Sequence, residues 1–164
     1  MMDDRISKLL GIVREEINLY RDLVEHARRK TALLVQGRVD AILESNRIEE
    51  MFNIKLRRLE SEMVHLCLDL SQSFRIPREK FTLMELADSL EQSLALEIRT
   101  QTALFRNIVK QLKSVNQRNM RLIEKSVNYS RGVLALVSNA MGSYQQTGLF
   151  EPIPSIPPTF SQRA

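Results

Sequence analysis

The sequence predicts an all-α protein: an antiparallel bundle of three long helices plus a short helix, with a long C-terminal helix and a flexible Pro-rich tail. Three observations carry that prediction. Apolar residues recur in alternating steps of four and three along most of the chain, the spacing of helices with one packed face. Glycine and proline number five each in 164 residues, and four of the prolines lie beyond residue 150. Tryptophan is absent and aromatics make up only 5%, the profile of an elongated helical protein. This length suits one domain. We read residues 1–141 as the helical bundle domain and 142–164 as the tail.

In the first element, Ile6, Leu10, Val13, Ile17, Tyr20, Val24, Ala27, Thr31 and Leu34 follow the stepping and predict a helix over 3–35. Gly37 then offers the backbone freedom that a helix end needs, so Val35-Gln36-Gly37-Arg38 is read as a reversal. A kinked continuous helix is the alternative. The second helix is expected over 38–74, with its apolar track at Ile48, Phe52, Leu56, Leu59, Met63, Leu66 and Leu70. Pro77 lacks the amide a helix requires and makes 75–80 a connection. Thr82-Leu83-Met84-Glu85 has capping-box spacing, in which each end residue satisfies a free amide of the other, and predicts a short helix over 83–90.

The long helix is expected over 91–141, roughly 75 Å at about 1.5 Å per residue. Its seam runs Leu94, Ile98, Gln101, Phe105, Ile108, Leu112, Val115, Asn119, Leu122, Ser126, Tyr129, Val133, Leu136 and Ala140. The polar members Gln101, Asn119 and Ser126 are of the kind that set register. Beside the seam runs a second apolar track, Ile123, Val127, Leu134, Val137 and Met141, interrupted by Ser130. The first two helices span roughly 50 to 55 Å each, so antiparallel packing leaves roughly 20 Å of the long helix uncovered at its C-terminal end. Two adjacent tracks there make a face wider than one neighbour needs, the mark of a partner site for an amphipathic helix. Closure of that face in a homodimer, or by the apolar tail folding back, is the alternative. Gly142 is expected to end the helix. Beyond it, Leu149, Phe150, Ile153, Ile156 and Phe160 are interleaved with Pro152, Pro154, Pro157 and Pro158, an extended composition that is not purely polar.

The formal net charge of +4 conceals a local bias. Arg99, Arg106, Lys110, Lys113, Arg118, Arg121, Lys125 and Arg131 face the single acid Glu124 over that stretch, and none lies on the seam. The run is either a solvated flank or an attraction for acidic partners. No helix-turn-helix, zinc ligand set or aromatic RNA-binding motif accompanies it, which argues against nucleic acid.

Catalysis would need a nucleophile with a base, converging carboxylates, a phosphate-cradling glycine loop or metal ligands, and the sequence offers none of these patterns. Acids fall in pairs such as Glu15 and Glu16, Glu49 and Glu50, and Glu60 and Glu62, among basic residues as on a solvated helix surface. His65 and the lone Cys67, two residues apart, diverge by about 200° on a helix and form no ligand set. We therefore expect no enzyme, no metal and no cofactor. One cysteine permits no internal disulfide, the N-terminus carries charges without an apolar signal core, and no stretch of 18 apolar residues occurs. The expectation is a cytoplasmic protein without membrane insertion.

The pattern resembles the FlgN-like flagellar export chaperones. The likeness rests on Ala32-Leu33-Leu34-Val35-Gln36-Gly37-Arg38-Val39-Asp40-Ala41-Ile42-Leu43 at the first turn and on Thr82-Leu83-Met84-Glu85-Leu86. It continues in Asn116-Gln117-Arg118-Asn119-Met120-Arg121-Leu122-Ile123-Glu124 and Ser143-Tyr144-Gln145-Gln146-Thr147-Gly148, so that it covers nearly the whole chain in order. It implies binding to the C-terminal helical segments of hook-filament junction proteins, prevention of their premature assembly, and delivery to the flagellar export gate. By the same resemblance the binding part maps onto 122–141 and Tyr144. Together with the apolar tracks, this gives Leu122, Ile123, Val127, Val133, Leu134, Val137 and Met141 as cargo-binding residues and Tyr144 as the export-gate contact. The proline-rich extension 152–164 has no counterpart in the family pattern. The rival readings are a coiled-coil adaptor that self-associates through the same seam and, further off, a basic nucleic-acid-binding bundle.

Overall fold

A computed structural model describes residues 2–145, with side chains from 4 to 139. Four α-helices and no strand occur among the described residues, in the order α1 Met2–Gln36, α2 Val39–Ser73, α3 Leu83–Asp88 and α4 Gln92–Gln145. A 3₁₀ turn, Arg78–Lys80, precedes α3. By their contacts the residues divide into two units, Met1–Leu122 and Ile123–Ala164.

The reversal at Gly37 is made, and a kinked continuous helix is excluded. Gly37 has φ +65°. Its amide donates to Leu34 O at 3.3 Å, and the Arg38 amide donates to Leu33 O at 3.2 Å, the bond pair of a Schellman stop. A Cβ at Gly37 would meet nothing within 4 Å, so the glycine is required for its left-handed backbone and not for space. The end of α2 repeats the arrangement without a glycine. Arg75 takes φ 55°, with Ile76 N donating to Ser71 O at 3.0 Å and Arg75 N to Gln72 O at 3.3 Å. Pro77 follows, where the helix has already stopped.

At α3 only half of the expected capping box is made. Thr82 Oγ1 accepts from the Glu85 amide at 3.1 Å, while Glu85 itself is exposed. The helix stops at Asp88, two residues short of the expected end, because the Ser89 and Leu90 amides bond three residues back, to Leu86 O at 3.0 Å and Ala87 O at 3.2 Å. That tighter turn leads into α4.

In the first unit α1 lies between α2 and α4. Arg14 pairs with Glu97, Tyr20 meets Phe105 edge-on with ring centroids 5.2 Å apart, and Thr31 meets Asn119. Residue numbers rise together along both helices, so α1 and α4 run parallel, with α2 antiparallel to them. Ile6, Leu9, Leu10 and Ile12 of α1 pack with Leu59, Leu66 and Leu70 of α2, Leu86 and Ala87 of α3, and Ala95 and Ile98 of α4. Val13, Ile17 and Val24 continue the core against Ile108. The single seam expected of α1 is thus only half of its buried surface. Leu9, Ile12, Glu16 and Leu23 form a second buried stripe, as a helix with neighbours on two sides requires.

That stripe corrects the reading of Glu15 and Glu16 as a solvated pair, since Glu16 is buried at 6% exposure. Further along the same side, His26 Nε2 lies 2.9 Å from Ser45 Oγ and 3.0 Å from Ser45 O. Lys30 Nζ donates to Glu49 Oε2 at 2.6 Å.

Gly142 does not end the last helix, because α4 continues to Gln145. One helical glycine costs about 1 kcal/mol relative to alanine, which slows a helix without stopping it unless the chain turns left-handed there. Residues 142–145, expected in the tail, are therefore helical, and Tyr144 lies on the final turn of α4 instead of beyond it. The rest of the expected tail, 146–164, lies outside the described residues.

Candidate functional site

Along α4 the seam changes character near residue 122. Ile98 and Ile108 are buried and Leu94, Phe105, Leu112, Val115 and Leu122 half-buried. Asn119 alone among the three polar seam residues forms a lock. Its Nδ2 donates to Ala27 O at 2.9 Å and its Oδ1 accepts from Thr31 Oγ1 at 2.6 Å. Gln101 is half-buried and Ser126 is exposed.

In the second unit every residue from 123 to 139 is exposed. At about 100° per residue, Ile123, Val127, Leu134 and Val137 share one arc of the helix. Tyr129, Val133 and Leu136 share the arc beside it. Together they cover roughly half the circumference, and Glu124, Lys125, Asn128, Arg131, Ser138 and Asn139 occupy the other half. The most exposed apolar side chains are Tyr129 at 76%, Leu136 at 71% and Leu134 at 65%.

The proposed cargo residues thus fall unevenly. Ile123, Val127, Val133, Leu134 and Val137 come together on one bare face. Leu122 is half-buried at the end of the first unit. The side chains of Met141 and Tyr144 lie outside those described. Tyr129 and Leu136 belong to the face but were absent from the sequence-based set, because they read as seam residues and hence as packed. The signal that could have found them is the seam continuing beyond the length of α1 and α2, each 35 residues against 54 for α4.

The basic flank divides as well. Arg99 bonds Asp88, whereas Arg106, Lys110 and Lys113 stand exposed on the flank of α4.

The chemistry elsewhere is that of packing. His65 is exposed and Cys67 half-buried, and burial pushes the Cys67 thiol up, with Glu16 adding to the effect. No group of three or more His, Cys, Asp or Glu residues that could hold a metal occurs among the described residues. None of the described helices is long and apolar enough to cross a membrane.

A packed all-α body with a helix face that is apolar and bare defines a class: a helical protein that works by binding other chains. The family model described as FlgN protein matches residues 1–150, and this chain belongs to that family. It is a flagellar chaperone. No curated protein matches the chain, and neither does any solved structure.

Proposed function

We propose that this chaperone binds the C-terminal helical segments of hook-filament junction proteins in the cytoplasm, keeps them from assembling early, and presents them to the flagellar export gate. The observation that carries the reading is the bare apolar arc of α4 between Ile123 and Val137. Bare apolar arcs of this width bind amphipathic helices, because a partner helix with i, i+3, i+4, i+7 anchors removes both surfaces from water at once. Cargo would lie along Ile123, Val127, Val133, Leu134, Val137 and Met141, with Leu122 at the edge, in coiled-coil fashion. The long C-terminal helix supplies the surface, and the Pro-rich tail follows it. Tyr144 would be the gate contact, as an aromatic with a hydroxyl suits an interface.

The test is Val133→Ser, Leu134→Asn and Val137→Ser in one chain. Cargo binding, read by calorimetry with a peptide of the junction protein's C-terminal helix, should be lost while helical circular dichroism is kept. Unchanged affinity would refute the site. Tyr144→Ala should spare cargo binding and thermal stability and weaken capture by the gate; weakened cargo binding would move Tyr144 into the cargo site.

A second reading has its own support: Tyr129, Val133 and Leu136 are seam positions that stand exposed, as self-association through the seam would need. Molecular mass that rises with concentration in the absence of cargo would favour that adaptor.

A further inference from the structure

Within the first unit, one edge of α4 carries cations and no acid. At about 100° per residue, Arg106, Lys110, Lys113 and Arg121 fall inside an arc of about 80°, and all four are exposed. The arc lies about 170° round the helix from Ile108 and Asn119, which pack on α1, so it is the edge of α4 turned away from the body. From Arg106 to Arg121 it runs about 22 Å. No acid occurs between Glu97 and Glu124. None of the four cations pairs with a carboxylate among the described residues, whereas Arg14, Arg29, Lys30, Arg47, Arg57 and Arg58 of α1 and α2 each do.

The chemistry of the strip selects its partner. A protein interface is held by a buried cluster of apolar or aromatic anchors, and exposed ion pairs hold little by themselves. Val109 and Met120, the exposed apolar side chains beside the strip, are about 16 Å apart along the helix, too far to make one anchor. Such a strip steers an acidic protein without holding it. Nucleic acid fits no better. A helix in the major groove sends cations to the phosphates of both walls and reads bases from its tip, but here the cations occupy the tip, and no aromatic side chain stands among them to stack a base. An anionic lipid leaflet is fluid and needs no matching shape. Its headgroups gather under fixed cations, and a straight convex edge meets a flat surface along its whole length.

We propose that Arg106, Lys110, Lys113 and Arg121 form a strip that holds this chaperone reversibly on anionic lipid headgroups. The contact is peripheral, in keeping with described helices none of which is long and apolar enough to cross a membrane. Each cation close to an anionic leaflet strengthens binding about fivefold, so that four give about 600-fold over neutral lipid. The strip does not depend on the cargo reading, which concerns residues further along α4.

The test is flotation of the full chain with vesicles of phosphatidylcholine, alone or with about one part in three of phosphatidylglycerol. The chain should float with the anionic vesicles only, and raising salt from about 0.05 to about 0.5 M should release it. Arg106→Gln, Lys110→Gln and Lys113→Gln together should weaken that binding about 100-fold with helical circular dichroism unchanged. Lys8→Gln, Arg38→Gln and Lys55→Gln remove the same charge from exposed positions on α1, α2 and the turn between them, and should leave most of the binding. Failure to float with anionic vesicles overturns the proposal. Equal loss in the two triple variants overturns it too, since net charge and not the strip would then be responsible. Salt-resistant flotation with neutral vesicles that Val133→Ser, Leu134→Asn and Val137→Ser abolish would assign the contact to the apolar arc instead. Tighter binding to duplex DNA or RNA than to anionic vesicles at equal phosphate concentration would assign the strip to nucleic acid.

Discussion

Replacing Glu16 by Gln should stabilise the protein, and by an amount that depends on pH in a defined direction. Glu16 sits on the side of α1 that meets α2, at 6% exposure. Burial disfavours its charged form, and Glu60 of α2 adds a second negative charge, so its pKa rises from 4.5 to about 7. The same surroundings raise the Tyr20 hydroxyl, first by burial and then through Glu60 and Glu16. The unfolded chain loses the Glu16 proton near 4.5, while the folded chain keeps it until about 7. Folding stability therefore falls as pH rises across that interval and levels off above it. At about 1.36 kcal/mol per unit, the full difference is about 3 kcal/mol. Glutamine has nearly the same shape and no charge to bury. Glu16→Gln should match the parent near pH ~4.5 and exceed it by about 3 kcal/mol near pH ~8, which is roughly 6 to 12 °C in Tm for a chain of this size. Urea unfolding followed by circular dichroism across that range measures both curves, and their difference removes the titration of every other group. A difference that stays constant with pH, or one in which the parent becomes the more stable as pH rises, would mean that the carboxylate is solvated or paired, and would refute the reasoning.

Other substitutions test other links. Arg75→Gly should raise stability by about 0.5 to 1 kcal/mol in chemical denaturation, since Arg75 holds a left-handed φ of 55° that glycine adopts without the Cβ penalty; a loss would mean that the arginine side chain holds the end of α2 in place. Asn119→Ala should cost about 1 to 3 kcal/mol, because it strips a buried hydrogen-bonding pair from Thr31 and Ala27; a neutral result would show that water replaces the amide. Charge reversal at Arg106, Lys110 and Lys113 should leave helical content unchanged and slow cargo association several-fold, with the effect fading as salt is raised. Loss of fold in that variant would show the three side chains to be packed.

Much of the fold was written locally. The four helices, the reversal at Gly37 and the Thr82 cap follow from apolar spacing and from residues whose backbone or side-chain chemistry acts over three or four positions. Two of the errors share an origin, reading polar character as exposure and apolar character as burial; the misplaced ends of α3 and α4 are separate and turn on local backbone geometry. Glu16 reads as half of a solvated pair with Glu15, yet α2 covers that side of α1, and further along it supplies Ser45 and Glu49 as partners for His26 and Lys30. Tyr129 and Leu136 look like packed seam residues and are among the most exposed on α4.

By itself, then, the sequence determined which segments are helical, where the chain turns, and that the end of α4 carries two apolar tracks side by side, because each of these depends on periods of three to seven residues. Only the tertiary structure decided that α1 is buried on two sides, that Asn119 and not Gln101 or Ser126 forms the polar lock, and that the apolar arc from Ile123 to Val137 stands bare. Burial is a property of what lies opposite a residue. The residues opposite Glu16 and Asn119 stand 44 and 88 positions away, at Glu60 and Thr31, a separation that no local pattern encodes.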